Sequence, residues 1–214
     1  YYLLIMINKD TKLFGSFSRK AGSVGCKLFN TCFKFDDLNA IYKSFSVENI
    51  SNAVKSAKCL NFSGFAVSMP FKTQIIPLLD EIDDIVKRTN SCNTVILLKK
   101  NTGDYKLCGY NTDYMAVHTY LSQLILSGIL KKNITILGNG SYSGTVQICC
   151  KELGIKYNLI TRKDWDTIPL IENTVVFNCT PVTNIIIKSN NYFIDCINTT
   201  ETGNKLAKIQ ASIQ

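Results

Sequence analysis

Short apolar runs of strand length alternate with longer segments of helical spacing along almost the whole chain, and this alternation limits the fold more than any other feature. Strands separated by helices cannot pair as tight hairpins. They pair in parallel, and the helices cross over the faces of the sheet. Residues 11–18 (TKLFGSFS) predict a strand that runs into a small flexible loop, RKAGSVG. Residues 26–37 follow with Leu28, Phe29, Cys32 and Phe33 near helical spacing, and residues 40–45 return to a strand. Residues 47–59 read as a helix opening on Ser46 as N-cap. A strand over 64–69, a helix over 72–89, a strand over 94–98, a turn over 102–105 and a long helix over 114–130 complete the first stretch. The polar break Lys131-Lys132-Asn133 is the candidate domain boundary.

After that break comes a second, tighter pattern. A strand over 134–137 ends in Gly138-Asn139-Gly140-Ser141-Tyr142-Ser143-Gly144, followed by a helix to about 153, a turn at Gly154 and strands over 157–160 and 174–178. A strand that ends in Gly-x-Gly before a helix lets the backbone approach a pyrophosphate, while the helix N-terminus supplies N–H donors and a partial positive charge. The strict fingerprint has glycine at 143, where this chain has Ser143. The end of the next strand selects the dinucleotide: an acid there suits NAD, a base suits the 2′-phosphate of NADP. Here it carries Thr161-Arg162-Lys163, with no acid until Asp164, which points to NADP.

Charge and cysteine content narrow the alternatives. The net charge is +8, but the basic residues are scattered, the densest pairs being Lys99-Lys100 and Lys131-Lys132. Without a basic run or interleaved aromatics this argues against nucleic acid and suits an anionic substrate and a phosphate-rich cofactor. Nine scattered cysteines with no C-x-x-C pair, and His118 as the single histidine, argue against a metal site. Such cysteines fit reduced thiols in a cytoplasmic protein. The opening YYLLIMI is too short to span a membrane, and no other segment is apolar enough to do so. Met6 is a candidate start, which would leave residues 1–5 outside the native protein. The expected partner is a small molecule, with no nucleic acid and no membrane, in a monomer or homodimer.

Three further groups of residues stand out: Ser68-Met69-Pro70-Phe71-Lys72, Ser91-Cys92-Asn93-Thr94 and Gly109-Tyr110-Asn111-Thr112-Asp113. Each alone reads as ordinary structure: a surface lysine, a turn asparagine, a helix N-cap. Taken in order with the glycine turn and the TRK strand end, they resemble the shikimate dehydrogenase family, which shows T-V-P-F-K, V-N-T, G-x-N-T-D, G-x-G-G and N-R-T. The likeness runs from about Met6 to Asp195. It is greatest to the shikimate 5-dehydrogenase-like branch, on Ser18-Arg19-Lys20-Ala21-Gly22-Ser23-Val24-Gly25, Phe29-Asn30 and Ala66-Val67-Ser68-Met69-Pro70-Phe71-Lys72. Ala21 replaces that branch's proline, Phe29 its histidine, and Ser141 a glycine of the family.

The resemblance implies an α/β fold of two α/β domains. A substrate-binding domain with a mainly parallel sheet would cover residues 1–115, a linker helix 116–132, and a Rossmann-like NADP-binding domain 133–200. It implies Lys72 and Asp113 as the catalytic pair, Ser18, Ser23, Ser68 and Asn93 with Asp113 as substrate contacts, and Gly138, Asn139, Gly140, Ser141, Tyr142, Thr161, Arg162, Lys163 and Thr180 as the NADP set. The implied reaction is the reversible oxidation of shikimate to 3-dehydroshikimate. Quinate or a related hydroxy acid as substrate, or an NADP-binding paralogue without turnover, are the alternatives. A lysine within reach of a secondary alcohol can take its proton; a nearby carboxylate raises the lysine's proton affinity and burial lowers it, so the two act as a coupled unit.

The last residues admit two alignments. In the preferred one, Glu201-Thr202 match the family's E-T-P turn and residues 201–214 are a remnant of a C-terminal helical return, truncated at its end. In the other, Gly203 and Gln210 belong to the final substrate-binding helix and intervening chain has been lost.

Overall fold

The computed structural model describes residues 7–197 and 199–214; the expectation for residues 1–5 lies outside these. The chain divides into two compact units, one ending at Asn111 and the other spanning Thr112–Gln214.

Unit 1 is built on a six-stranded sheet. Its elements are β1 (Lys12–Ser18), α1 (Val24–Phe35), β2 (Ala40–Ser46), α2 (Ile50–Cys59), β3 (Phe62–Val67), a 3-10 turn (Ile76–Leu78), β4 (Glu81–Ile82), α3 (Asp84–Thr89), β5 (Thr94–Lys99) and β6 (Tyr105–Tyr110). The strand order is β2-β1-β3-β5-β6-β4. β1 lies parallel to β2 and β3, and β4 to β6, whereas β5 runs antiparallel to both β3 and β6. Three of the five pairings are parallel, so the sheet is mainly parallel, as expected, with β5 as its one reversed strand. The cause is β6, which the sequence reading left in and beyond a turn: a hairpin through the Asp104 turn reverses the chain, with Lys100 N–H donating to the Asp104 carbonyl at 2.7 Å.

The core of unit 1 is aromatic. Phe17, Phe62 and Phe65 are buried, and the Phe17 ring lies 4.8 Å from that of Phe65 in a tilted arrangement. Each such side chain contributes about 1.5–3 kcal/mol on removal from water.

Two helix expectations change here. The helix over 47–59 opens on Asn49, whose side chain accepts from Asn52 N–H, because the Val47 N–H is already committed to the Ser18 carbonyl. The helix over 72–89 does not form as one piece. Pro77 lacks an N–H donor, so the chain makes a 3-10 turn, a two-residue strand and only then α3, capped by Asp83.

The outer edge of β2 is covered from within. Asn30 on α1 donates to the Tyr42 carbonyl and accepts from the Tyr42 N–H, both at 2.8 Å. The Ser44 N–H points to the Cys26 sulfur at 3.2 Å. Side chains of α1 thus take the place of a further strand.

Unit 2 has a four-stranded parallel sheet in the order β10-β9-β7-β8. It comprises α4 (Thr112–Leu126), β7 (Asn133–Leu137), α5 (Ser141–Glu152), β8 (Lys156–Ile160), a 3-10 helix (Arg162–Leu170), β9 (Val175–Asn178), β10 (Tyr192–Asp195) and α6 (Glu201–Ile213). β10 and the 3-10 helix were not anticipated. The segment expected as a linker over 116–132 is instead integral to this unit: Val117, Tyr120, Leu121 and Leu124 of α4 share one core with Val146 of α5, Ile194 of β10 and Leu206 of α6. The divide accordingly falls before α4, at 111/112 instead of 115. Among the described residues no helix is long and apolar enough to cross a membrane.

Replacing Asn30 with Ala would leave the Tyr42 edge groups without their partner. Asn30→Ala should lower unfolding stability by about 1–3 kcal/mol, read as a lower midpoint in urea at unchanged slope.

Candidate functional site

In unit 1 the strand directions gather the candidate residues at one edge. β1 and β3 end at Ser18 and Val67, the antiparallel β5 starts at Thr94, and β6 ends at Tyr110. The register runs Ser16–Ala66–Thr94–Tyr110 across the sheet, so residues just beyond it share an edge. Backbone bonds close that edge: Ser68 N–H to the Phe17 carbonyl at 2.9 Å, Val67 N–H to Asn93 at 2.7 Å, and Asn93 N–H to Tyr110 at 3.1 Å. The Arg19 N–H donates to the Met69 carbonyl at 3.1 Å, tying the loop after β1 to the loop after β3.

Ser18 and Asn93 are buried there, and Ser68 is exposed. The Thr94 hydroxyl donates to Asn93 Oδ1 at 2.9 Å and so orients its amide. Lys72 is half-buried, and its carbonyl accepts from the Cys92 N–H at 2.9 Å. The lysine loop and the asparagine strand are thus held together through their backbones. Cys92 beside them is an inert thiol: burial pushes its pKa up to about 11, outweighing hydrogen bonds and the Lys72 charge that act the other way. Ser23 sits at the start of α1, exposed and making no side-chain cap bond. Asn111, which the sequence reading passed over as a site residue, is buried and donates to the Thr89 hydroxyl at 2.9 Å.

Unit 2 carries the rest. Asp113 lies buried in the first turn of α4, and the neighbouring Thr112 hydroxyl accepts from the Gln210 amide at 2.9 Å. α6 is therefore a packed helix that returns Gln210 to the start of α4. A side chain on residue 203 would place its Cβ 2.0 Å from the Ile197 carbonyl oxygen, so only glycine permits this docking.

The glycine turn follows β7. Gly138 has φ +95°, and a Cβ there would lie 2.5 Å from Thr180 Cγ2. Its N–H donates to the Ile160 carbonyl at 2.8 Å, linking the turn to the end of β8. Gly140 caps α5 without a side-chain bond, and a Cβ on it would meet nothing within 4 Å. Open space at a helix N-terminus whose dipole favours anions suits a dinucleotide pyrophosphate. Asn139 is exposed, and Ser141 and Tyr142 in the first turn of α5 are half-buried. Ser143, at the fingerprint's glycine position, is fully buried and accepts from the Gln147 amide at 3.1 Å. Burial and the Asp113 carboxylate push the Tyr142 phenol well above its usual range, so it stays protonated.

Thr180 is fixed by a residue the sequence reading did not single out. Its N–H and hydroxyl donate to Asn178 Oδ1 at 2.9 and 2.7 Å, and the Asn178 amide donates to the Asp195 carboxylate at 3.1 Å. Both Asn178 and Asp195 are buried. At the end of β8, Thr161 caps the 3-10 helix. Arg162 and Lys163 are exposed and form no ion pair among the described residues, which leaves both cations available to a 2′-phosphate.

Residues 21–95 match the family model for the shikimate dehydrogenase substrate binding domain. The chain is 38% identical over 136 residues to a shikimate dehydrogenase-like protein of Haemophilus influenzae, covering 64% of this chain and 47% of that one. It is 34% identical over 170 residues to the NADP(+) shikimate dehydrogenase of Aquifex aeolicus, covering 78% and 61%. By these alignments the chain spans about half the length of such relatives. Among solved structures, a shikimate 5-dehydrogenase-like protein superposes with a TM-score of 0.74 at 26% identity, over 96% of this chain and 90% of that one. Shikimate dehydrogenase from Aquifex aeolicus gives 0.75 at 27%, over 96% and 86%.

The glycine turn yields a direct test. Gly138→Ala combines a positive φ with a clash against Thr180, so it should cost about 1–3 kcal/mol, measured as a lower thermal midpoint. Gly140→Ala, with open space around it, should keep the wild-type midpoint while weakening dinucleotide binding in a fluorescence titration.

Proposed function

The chain belongs to the shikimate dehydrogenase family, and from that premise we propose that it catalyses the NADP-dependent, reversible oxidation of shikimate: shikimate + NADP+ ⇌ 3-dehydroshikimate + NADPH + H+. The observation that carries this reading is the closed edge of unit 1, where Ser18, Ser68, Asn93 and the Lys72 loop are tied to neighbouring strand ends by backbone hydrogen bonds. Hydroxyl and amide groups of that kind suit a small polyhydroxy carboxylate. Ser18 and Ser23 would hold the carboxylate, and Ser68 and Asn93 ring hydroxyls.

Lys72 would accept the proton of the reacting hydroxyl, and Asp113 would be its carboxylate partner, so that the proton passes through the pair. Residues 138–142, with Thr180 behind the turn, would seat the pyrophosphate, and Thr161, Arg162 and Lys163 would receive the 2′-phosphate. Bound there, the nicotinamide supplies the hydride acceptor. All nine cysteines are free thiols in the structure, in keeping with a role in the cytoplasm.

Turnover is read as NADPH absorbance with shikimate, with quinate as control. Lys72→Ala should reduce kcat by about 10²-fold or more while leaving nucleotide affinity intact. Wild-type protein that binds NADP+ but forms no NADPH from shikimate would refute the assignment as a shikimate-oxidising enzyme. Product from quinate alone would move it to a different hydroxy acid.

A further inference from the structure

One face of the unit 2 sheet has two unlike halves. Side chains alternate along a strand, so register partners in parallel strands share a face. Leu137 pairs with Ile160, Thr135 with Asn158 and Asn133 with Lys156, all on the same side. Toward the strand C-termini this side is apolar and covered: Leu137, Ile160 and Val176 pack with Ile168 of the 3-10 helix. That helix ends at Leu170 and only borders the other half. There the face is polar and open. It forms a cavity of about 540 Å³ lined by Asn133, Thr135, Lys156, Asn158 and Thr174, with Leu170 and Ile171 as an apolar wall.

The fold does not use up the polar groups of this cavity. Thr135 is 6% exposed, yet its hydroxyl has no hydrogen-bond partner among the described residues. Neither the Asn158 amide nor the Lys156 ammonium has one among them. A buried hydroxyl without a partner forgoes the hydrogen bonds it makes in water, unless something entering the cavity restores them. Glu172 at the rim is held by Lys188 at 3.0 Å, which leaves Lys156 as the unbalanced charge. The Lys156 N–H donates to the Lys132 carbonyl at 2.8 Å, so a second lysine enters at the same end of the sheet.

Such a cavity suits an anion. Phosphate sites draw on a helix N-terminus or a guanidinium fork, and the lining residues include neither. One ammonium beside an amide and hydroxyls matches a carboxylate whose carbon chain carries hydroxyls, with the apolar wall against that chain. We propose that this cavity is a separate small-molecule site of unit 2 that takes a hydroxylated carboxylate. Lys156 meets the carboxylate, and Asn158 and Thr135 bond the hydroxyls. The site lies at the N-terminal ends of β7 and β8, at the opposite end of the sheet from the glycine turn. It stands independently of the dinucleotide reading of that turn.

Titration of the full chain with gluconate, followed by amide NMR, tests this without turnover. Gluconate should shift the amides of residues 133–135 and 156–158 saturably. Lys156→Ala, at an exposed position, should weaken binding about tenfold. Thr135→Val keeps the shape and removes the hydroxyl. It should weaken gluconate about fivefold while raising the thermal midpoint, because an unpaired buried hydroxyl is lost. A merely structural threonine would move the midpoint and leave the affinity alone. Affinity within about twofold of wild type in both variants overturns the proposal, as does the absence of a saturable shift. Shifts confined to residues 138–142 would put gluconate at the glycine turn and overturn it too. Inorganic phosphate binding more tightly than gluconate overturns the carboxylate assignment. Shifts of the same amides on raising protein concentration alone would mark a contact between copies of the chain, again overturning it.

Discussion

The chemistry-bearing residues of unit 1 hang on a strip of main-chain hydrogen bonds along one edge of the sheet. Ser68 is tied to Phe17, Val67 to Asn93, and Asn93 to Tyr110. None of these bonds involves a candidate side chain, and that is their value. A backbone ladder fixes position without using up the hydroxyls and amides that must meet a ligand. The mixed direction of the sheet matters here. Because β5 is antiparallel to β3, Asn93 enters at the edge where Ser18 and Val67 leave. A wholly parallel sheet would have carried Asn93 to the opposite end.

Unit 2 reaches the same result by different means. Its strands are all parallel, so their C-terminal ends meet without a reversal. The turn after β7 depends on Gly138, and the room beside Gly138 depends on where Thr180 sits. Thr180 is held by Asn178, which is held by Asp195. Asp195 Oδ1 also accepts from the Ile197 N–H at 3.1 Å. A buried polar chain of this kind is tolerated because each member is paired, and it stiffens the loop that borders the glycine turn.

Much of this was legible in the residue pattern. The strand–glycine–helix run and the basic strand end were found from type and spacing, whereas Lys72, Asn93 and Asp113 stood out only through the likeness to a family. What escaped was non-local. β6 reads weakly because Lys106, Leu107, Cys108 and Gly109 have no clean alternation; its pairing partner β5 makes it a strand. The helix over 72–89 has plausible spacing, yet Pro77 breaks the ladder and the competing demand of Asp80, which accepts from the Leu107 N–H at 2.8 Å, draws the segment to the sheet. Asn178 looked like the last residue of an apolar strand. Only its burial beside Asp195 reveals a polar role, and no local signal carries that.

The C-terminal helix is fixed by its packing. The Thr202 hydroxyl accepts from the Asp195 N–H at 2.8 Å, Thr200 caps the helix through the Gly203 N–H, and Leu206 is buried in the core shared with α4. Gly203 is the residue that lets the helix approach so closely. The same packing presents the Gln210 amide to the Thr112 hydroxyl. Position 203 is constrained by backbone atoms, which no side-chain rearrangement can relieve. The helix is therefore placed by the same steric logic as Gly138, and Gln210 reaches the residue beside Asp113 as a consequence of that placement.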